Sequence, residues 1–258
     1  MARIFLFDVD NTLLNSGGAG GRAMNLAFRD LFGIGNGFEG VEFSGRTDSS
    51  ILRDGLRRHR LPDGDFPALL ARFKVSYVRH LARLLPEMHG CLLPGVAALL
   101  DSLSTTEGVR LGLATGNFRR GAMMKLEYYG IRSFFRSGAF GDDCERRDEL
   151  VALAIRRLGS RPGGRNPVYV IGDTPIDVDA AKANGAVAVA VATGKSSAEE
   201  LARAGADAIF PDFSDVASVL GVLLSYGDGA SACAPRHRRG DAAGAPRWEA
   251  PASSALTE

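Results

Sequence analysis

Asp8 and Asp10 close an apolar run, Ile4-Phe5-Leu6-Phe7, in the order Asp8-Val9-Asp10-Asn11-Thr12. Residues two apart on an extended chain share a side, so these carboxylates would repel one another unless a cation or a proton stands between them. A metal-containing reaction centre meets that demand. The same run also reads as an ordinary acidic turn after a strand, because Asp, Asn and Thr are common turn residues. A second acidic cluster, Gly172-Asp173-Thr174-Pro175-Ile176-Asp177, again follows a strand-like run, Val168-Tyr169-Val170-Ile171. Between the two, Leu111-Gly112-Leu113-Ala114 leads into Thr115-Gly116-Asn117, which offers a hydroxyl, flexible backbone amides and a side-chain amide. Ligands of open parallel sheets sit beyond the carboxyl ends of the strands, so the three junctions are expected to converge on one site.

The ordered set resembles the haloacid dehalogenase-like hydrolases, whose phosphatases open with Asp-x-Asp-x-Thr and later carry a Thr or Ser, a basic residue and Gly-Asp-x-x-x-Asp. Gly45-Arg46-Thr47-Asp48, Leu93-Pro94-Gly95-Val96 and Gly185 are most similar to the phosphoglycolate phosphatase-like branch. The resemblance implies phosphoryl transfer from a small phosphorylated metabolite to Asp8, giving an aspartyl phosphate that water then hydrolyses. Asp10 would protonate the departing alkoxide and then deprotonate the attacking water. It implies Mg2+ held by Asp8, Asp10 (through its backbone carbonyl) and Asp173, since few hard oxygen ligands shared with a phosphate suit that ion better than zinc. Asp177 would orient the metal ligands or cap the helix that follows.

Thr115, with the amides of Gly116 and Asn117, would hold the transferring phosphoryl oxygens. The family's usual lysine is missing from Arg146-Arg147-Asp148-Glu149-Leu150. Arg147 best matches its position, with Arg146 as the alternative, and arginine supplies the same charge in a forked geometry. Asn11 stands where the family commonly has glycine, and Asn tolerates a left-handed backbone. Arg46 is a candidate for gripping the non-reacting end of the substrate. A phosphomutase would use the same aspartates and return the phosphoryl group to the sugar. A non-enzymatic phosphoacceptor module also has acidic strand ends, but its accepting Asp lies on a middle strand and it lacks a large helical insertion.

The elements that must position these groups read as a doubly wound α/β fold with a parallel sheet. A helix is expected from Pro175 to Asn184, stopped by Gly185, then a strand Val187 to Val191, a helix Ala198 to Ala204, a short strand Ala208 to Phe210 and a closing helix Asp215 to Leu224. The discontinuous core would comprise 1–16 and 90–227. The stretch 17–89 reads as helices only, Arg22 to Phe32, Ser49 to Arg60 and Phe66 to Leu85, with hinges at Gly17-Gly18 and Pro86 through Gly90. The family resemblance implies that this insertion is a cap that closes over the site. From Asp228 to Glu258 the composition of Ala, Gly, Pro, Ser and Arg predicts disorder.

Composition narrows the function classes. The chain has 258 residues with 45% hydrophobic content, enough for one sizeable core, and Lys+Arg 31 against Asp+Glu 30, which is no electrostatic footprint of a nucleic-acid binder. Cys91, Cys144 and Cys233 have neither metal-ligand nor redox spacing and are expected as reduced thiols. No apolar run approaches membrane-spanning length, and Met1-Ala2-Arg3 leads straight into a strand. A cytoplasmic monomer or homodimer is the expectation.

Overall fold

The computed structural model describes residues 2–225, so the expectation of disorder from Asp228 onward falls outside the described residues. In chain order the elements are β1 (Arg3–Phe7), β2 (Leu14–Asn15), α1 (Ala19–Phe32), α2 (Asp48–Arg58), α3 (Phe66–Glu87), β3 (Cys91–Leu92), α4 (Val96–Thr105), β4 (Val109–Thr115) and α5 (Arg119–Tyr128). They continue with β5 (Gly138–Phe140), α6 (Arg147–Arg157), β6 (Val168–Gly172), α7 (Pro175–Ala183), β7 (Val187–Val191), α8 (Ala198–Arg203), β8 (Ala208–Phe210) and α9 (Val216–Ser225). Six strands form one parallel sheet in the order β5-β4-β1-β6-β7-β8. The doubly wound fold expected from the alternation of elements is the fold observed.

Alternation along the strands divides the apolar residues between two faces. Phe5, Phe7, Leu113, Tyr169, Ile171 and Val189 pack with Leu99, Leu103, Leu126 and Val219 on one side. Ile4, Leu6, Ala114, Val170 and Ala188 pack with Leu150, Ala154, Val178 and Leu201 on the other. The central strand β1 is therefore buried on both faces, and its continuation is the polar sequence that begins at Asp8.

Helices α1, α2 and α3 form the insertion between β1 and β4, around a separate apolar cluster of Phe28, Phe38, Leu52, Phe73, Tyr77 and Leu81. Its ring packing is tight: Phe28 meets Phe38 edge to face at 5.0 Å, and Gly55 passes so close to Phe38 that a methyl group would collide with the ring. Phe118 of the core joins the same cluster, edge-on to both Phe73 and Tyr77. Helix α3 continues through Pro86 to Glu87, further than the expected break at Pro86. The chain crosses into and out of the insertion by a two-stranded antiparallel ribbon, Leu14 opposite Leu92 and Asn15 opposite Cys91. Gly17 and Gly18, at the entry, both have left-handed backbones. Cys91 and Cys144 are free thiols, and Cys233 lies outside the described residues.

One polar contact ties α1 to α3. Asp30 Oδ2 accepts from Ser76 Oγ at 2.6 Å, His80 Nε2 at 2.7 Å and Arg79 Nη2 at 2.8 Å. The Ser76 hydroxyl and then His80 hold the Asp30 carboxyl down at about 2. A carboxyl depressed in the folded state stabilises it above the unfolded value near 3.9, and this contribution is lost as pH falls through the folded value. Asp30→Asn should thus cost on the order of 1 kcal/mol at pH 6, allowing for solvent screening. The gap between wild type and variant should shrink between about pH 4 and pH 2, as urea unfolding at each pH would measure.

Candidate active site

Register brings the polar strand ends together. Phe7 pairs with Leu113 of β4 and with Ile171 of β6, so Asp8 lies one residue past the last paired row, level with Ala114 and Gly172 and one step short of Thr115 on one flank and Asp173 on the other. Adjacent parallel strands are about 4.8 Å apart, which is the spacing a shared ligand needs. Among the described residues, Asp8, Asp173 and Asp177 each bring one carboxylate oxygen to within 4.8 Å of the others.

Arg147, the first residue of α6, is buried and faces this cluster. Its Nη2 lies 2.9 Å from Asp8 Oδ1 and 2.6 Å from Asp177 Oδ1, and its Nε donates to the same Asp177 oxygen at 3.0 Å. Burial alone would favour the neutral guanidine, but the charges of Asp177 and Asp8 outweigh it and hold Arg147 protonated. Arg146 points away, exposed, with Nη2 2.6 Å from Asp148 Oδ2. Of the two arginines considered for the missing lysine, only Arg147 reaches Asp8.

Asp177 serves two partners at once. Its Oδ2 accepts from the backbone N–H and hydroxyl of Thr174, which completes a capping box at the start of α7, and its Oδ1 takes Arg147. It caps the helix and orients Arg147 together. Asp173 is different: its Oδ2 is buried with no hydrogen-bond partner among the described residues. Burial, then the charges of Asp8 and Asp177, raise its carboxyl to about 8, and burial likewise raises that of Asp8 against the pull of Arg147. The loop at Gly194 closes so tightly over Asp173 that a methyl group there would strike Oδ2. An orphaned buried oxygen in an all-carboxylate donor set is a place for a hard cation.

Asp10 does not join that cluster. The strand ends at Phe7 and Val9 is a bend, so the two-residue period no longer applies across Asp8 to Asp10. Asp10 Oδ2 instead lies 2.5 Å from Nζ of Lys125, on α5. The side chains of the two aspartates thus take separate cations, from helices on opposite faces of the sheet, an arrangement that leaves the backbone carbonyl expected of Asp10 as a metal ligand untouched. Asn11 adopts φ 58, the left-handed conformation anticipated for it.

Thr115 is fully buried, with Oγ1 accepting from the Asn117 N–H at 3.3 Å. The insertion grips this loop: Asp48 N–H donates to Gly116 O at 2.8 Å, and Asp48 Oδ2 accepts from Phe118 N–H at 2.8 Å. A Cβ on Gly116 would run into the carbonyl of Arg46, so glycine is required here for close approach as well as for exposed amides. Further bonds run from Ser49 Oγ to Gly141 O and from Arg53 to Glu145. Arg46 lines the cavity between insertion and core, but its guanidinium lies 2.7 Å from Asp54 Oδ2 of the insertion.

The cavity holds about 250 Å3 and is walled by Asp8, Asp10, Asn117, Lys125, Arg147 and Asp173, with Tyr77 and Asp48 from the insertion. Sequence reasoning passed over Lys125, Asp48 and Tyr77. The signal for Lys125 was its place on the apolar stripe of α5, between the buried Ala122 and Leu126. Removing the charge that neutralises two buried carboxylates should be costly: Arg147→Met is expected to lower the unfolding free energy by about 3–5 kcal/mol in urea titrations.

Known proteins share this fold and sequence pattern. The chain is 29% identical over 240 residues to the phosphoglycolate phosphatase of Salmonella typhi, covering 84% of this chain and 91% of that protein. It is 32% identical over 161 residues to that of Rhodospirillum rubrum, covering 62% of this chain and 64% of the relative. CbbY from Rhodobacter sphaeroides in complex with phosphate superposes with a TM-score of 0.65 at 23% identity, over 84% of this chain and 96% of that one. A putative beta-phosphoglucomutase from Bacteroides vulgatus gives 0.62 at 21% identity, over 87% and 89%; both show the fold. The haloacid dehalogenase-like hydrolase family matches residues 2–185. With its acidic strand ends gathered beside a buried arginine on a parallel sheet, the chain belongs to the haloacid dehalogenase-like hydrolases.

Proposed function

We propose that this protein is a Mg2+-dependent phosphatase that hydrolyses a small phosphate monoester, phosphoglycolate or a close analogue, through an aspartyl phosphate on Asp8. The observation that carries the reading is the placement of Asp8 at the cavity wall, 2.9 Å from a buried arginine and within 4.8 Å of the carboxylates of Asp173 and Asp177. A phosphoryl group entering there meets a nucleophilic oxygen, a fixed positive charge and the Thr115 loop together. The relatives named phosphoglycolate phosphatase support this substrate class, and a cavity of about 250 Å3 suits a small metabolite, being below the range of roughly 300–1,000 Å3 that takes drug-sized ligands.

Asp8, Asp173 and the backbone carbonyl of Asp10 would hold the metal, and Asp177 orients the arginine beside them. When bound, Mg2+ supplies charge neutralisation for the phosphoryl oxygens, which carboxylates alone would repel. Arg147 contributes fixed charge on the other flank of Asp8, and its forked contact with Asp177 keeps it from swinging away. Gly116 and Asn117 line the cavity, and their loop would hold the transferring oxygens, where charge accumulates. Asp10 serves the leaving oxygen as acid and the incoming water as base. The helical insertion acts as a cap: Asp48 bonds both Gly116 and Phe118, so seating the cap fixes the phosphate loop and excludes bulk water. No helix among the described residues is long and apolar enough to cross a membrane.

Phosphate release across a panel of small phosphomonoesters tests the proposal. Turnover should require Mg2+, disappear with EDTA and return on adding the ion, with phosphoglycolate giving the highest kcat/KM. Asp8→Asn should remove about 10³-fold or more of kcat. Undiminished turnover in that variant would take Asp8 out of the chemistry.

A further inference from the structure

The reaction as derived leaves Lys125 without a task, yet its side chain is only 2% exposed. Helix α5 turns Ala122 and Leu126 into the core, and Lys125 lies on the same buried stripe. Taking an ammonium group out of water costs several kcal/mol unless acceptors replace the lost hydration. Two do: Nζ donates to Asp10 Oδ2 at 2.5 Å and to Asn117 Oδ1 at 2.7 Å. The start of α1 passes over it at Gly20, where a Cβ would come within 3.2 Å of Nζ, and that glycine leaves the room the ammonium occupies. Lys125 thus ties the expected acid–base residue to the phosphate loop by one buried cation.

We infer that Lys125 is a positioning residue for Asp10, which deepens the phosphatase reading and rests on it. A carboxyl group has two equivalent oxygens and rotates between them. With Oδ2 committed to Lys125, the transferable proton of Asp10 resides on Oδ1, and the group is locked toward the cavity. In the first step the Asp8 oxygen forms its bond to phosphorus while the ester P–O bond breaks. The bonding pair passes to the leaving oxygen, which takes the proton from Asp10 Oδ1. In the second step water oxygen bonds phosphorus as the P–O bond to Asp8 breaks, and Oδ1 receives the water proton. Lys125 keeps its own proton throughout. It holds the direction of Asp10 in both steps and balances the negative charge left on it between them.

Leaving-group dependence separates this role from general support of the fold. An alkoxide leaves only with a proton, whereas p-nitrophenolate leaves without one. The parameter to follow is kcat/KM, which ends at the step that expels the leaving group. For Lys125→Met with Mg2+ at one fixed pH, kcat/KM for phosphoglycolate should fall about 10²-fold, against less than about threefold for p-nitrophenyl phosphate. The kcat values for the two should meet at a common low rate, set by slow hydrolysis of the aspartyl phosphate. Lys125→Arg, which keeps the charge and the donors, should bring the alkyl-to-aryl ratio back toward wild type. Lys125→Gln gives the same comparison if the methionine variant does not fold, since activity on the aryl ester reports an intact site. Equal losses for both esters, total loss included, would overturn the inference. A wild-type protein inert toward both esters would overturn the phosphatase reading itself, and this inference with it.

Discussion

Carboxylates that bring their oxygens within 4.8 Å of one another in a buried site are stable only where positive charge or a proton answers them. An uncompensated buried charge costs several kcal/mol, a sizeable share of the roughly 5–15 kcal/mol that holds a domain folded. Arg147 answers Asp8 and Asp177, and Lys125 answers Asp10. The oxygen of Asp173 without a hydrogen bond is the part of the cluster that the described side chains leave unsatisfied. Much of the architecture follows from setting these charges in place. Strand β1 must be central so that Asp8 is flanked by β4 and β6, and α6 must begin where its first residue reaches the strand end. Helix α7 must begin with a capping box whose aspartate also faces inward.

The same constraint explains what could be read from the sequence. Asp8, Thr115 and Asp173 were legible because each directly follows an apolar strand run, and parallel strands bring such ends side by side. The left-handed turn at Asn11, the helix from Pro175 and the stop at Gly185 were legible because their residue types carry a local backbone preference. Lys125 was not, because a single lysine on a helix gains meaning only when the partner of the stripe it occupies is known. Strand β5, Gly138–Phe140, escaped notice because two of its three residues are small and carry little strand preference. The separation of Asp8 from Asp10 depended on a bend at Val9, and the period of an extended chain does not foretell where the strand will stop.

The insertion and the loop from Thr115 to Phe118 are built against one another at backbone contact. Gly116 and Gly141 have no room for a side chain because main-chain atoms of Arg46, Thr47 and Gly116 itself fill it. Asp48, which bridges to Gly116 and Phe118, has its carboxyl raised to about 7, chiefly by burial and against the charge of Lys125. Phe118 carries the contact into the apolar centre of the insertion. Packing of the helical portion and shape of the loop after β4 are therefore one structural problem, solved by the same few residues.

The ribbon of Leu14–Asn15 and Cys91–Leu92 has a consequence for how such a molecule can diversify. Because the outgoing and returning chains pair with each other, everything between them is attached at a single doorway two residues wide. A different intervening segment could be grafted between the same two posts while the aspartates on the sheet stayed where they are, since neither post belongs to the sheet that carries them. Such an exchange would leave the loop after β4 in its present shape only if the new segment reproduced the bonds that Asp48 makes to Gly116 and Phe118.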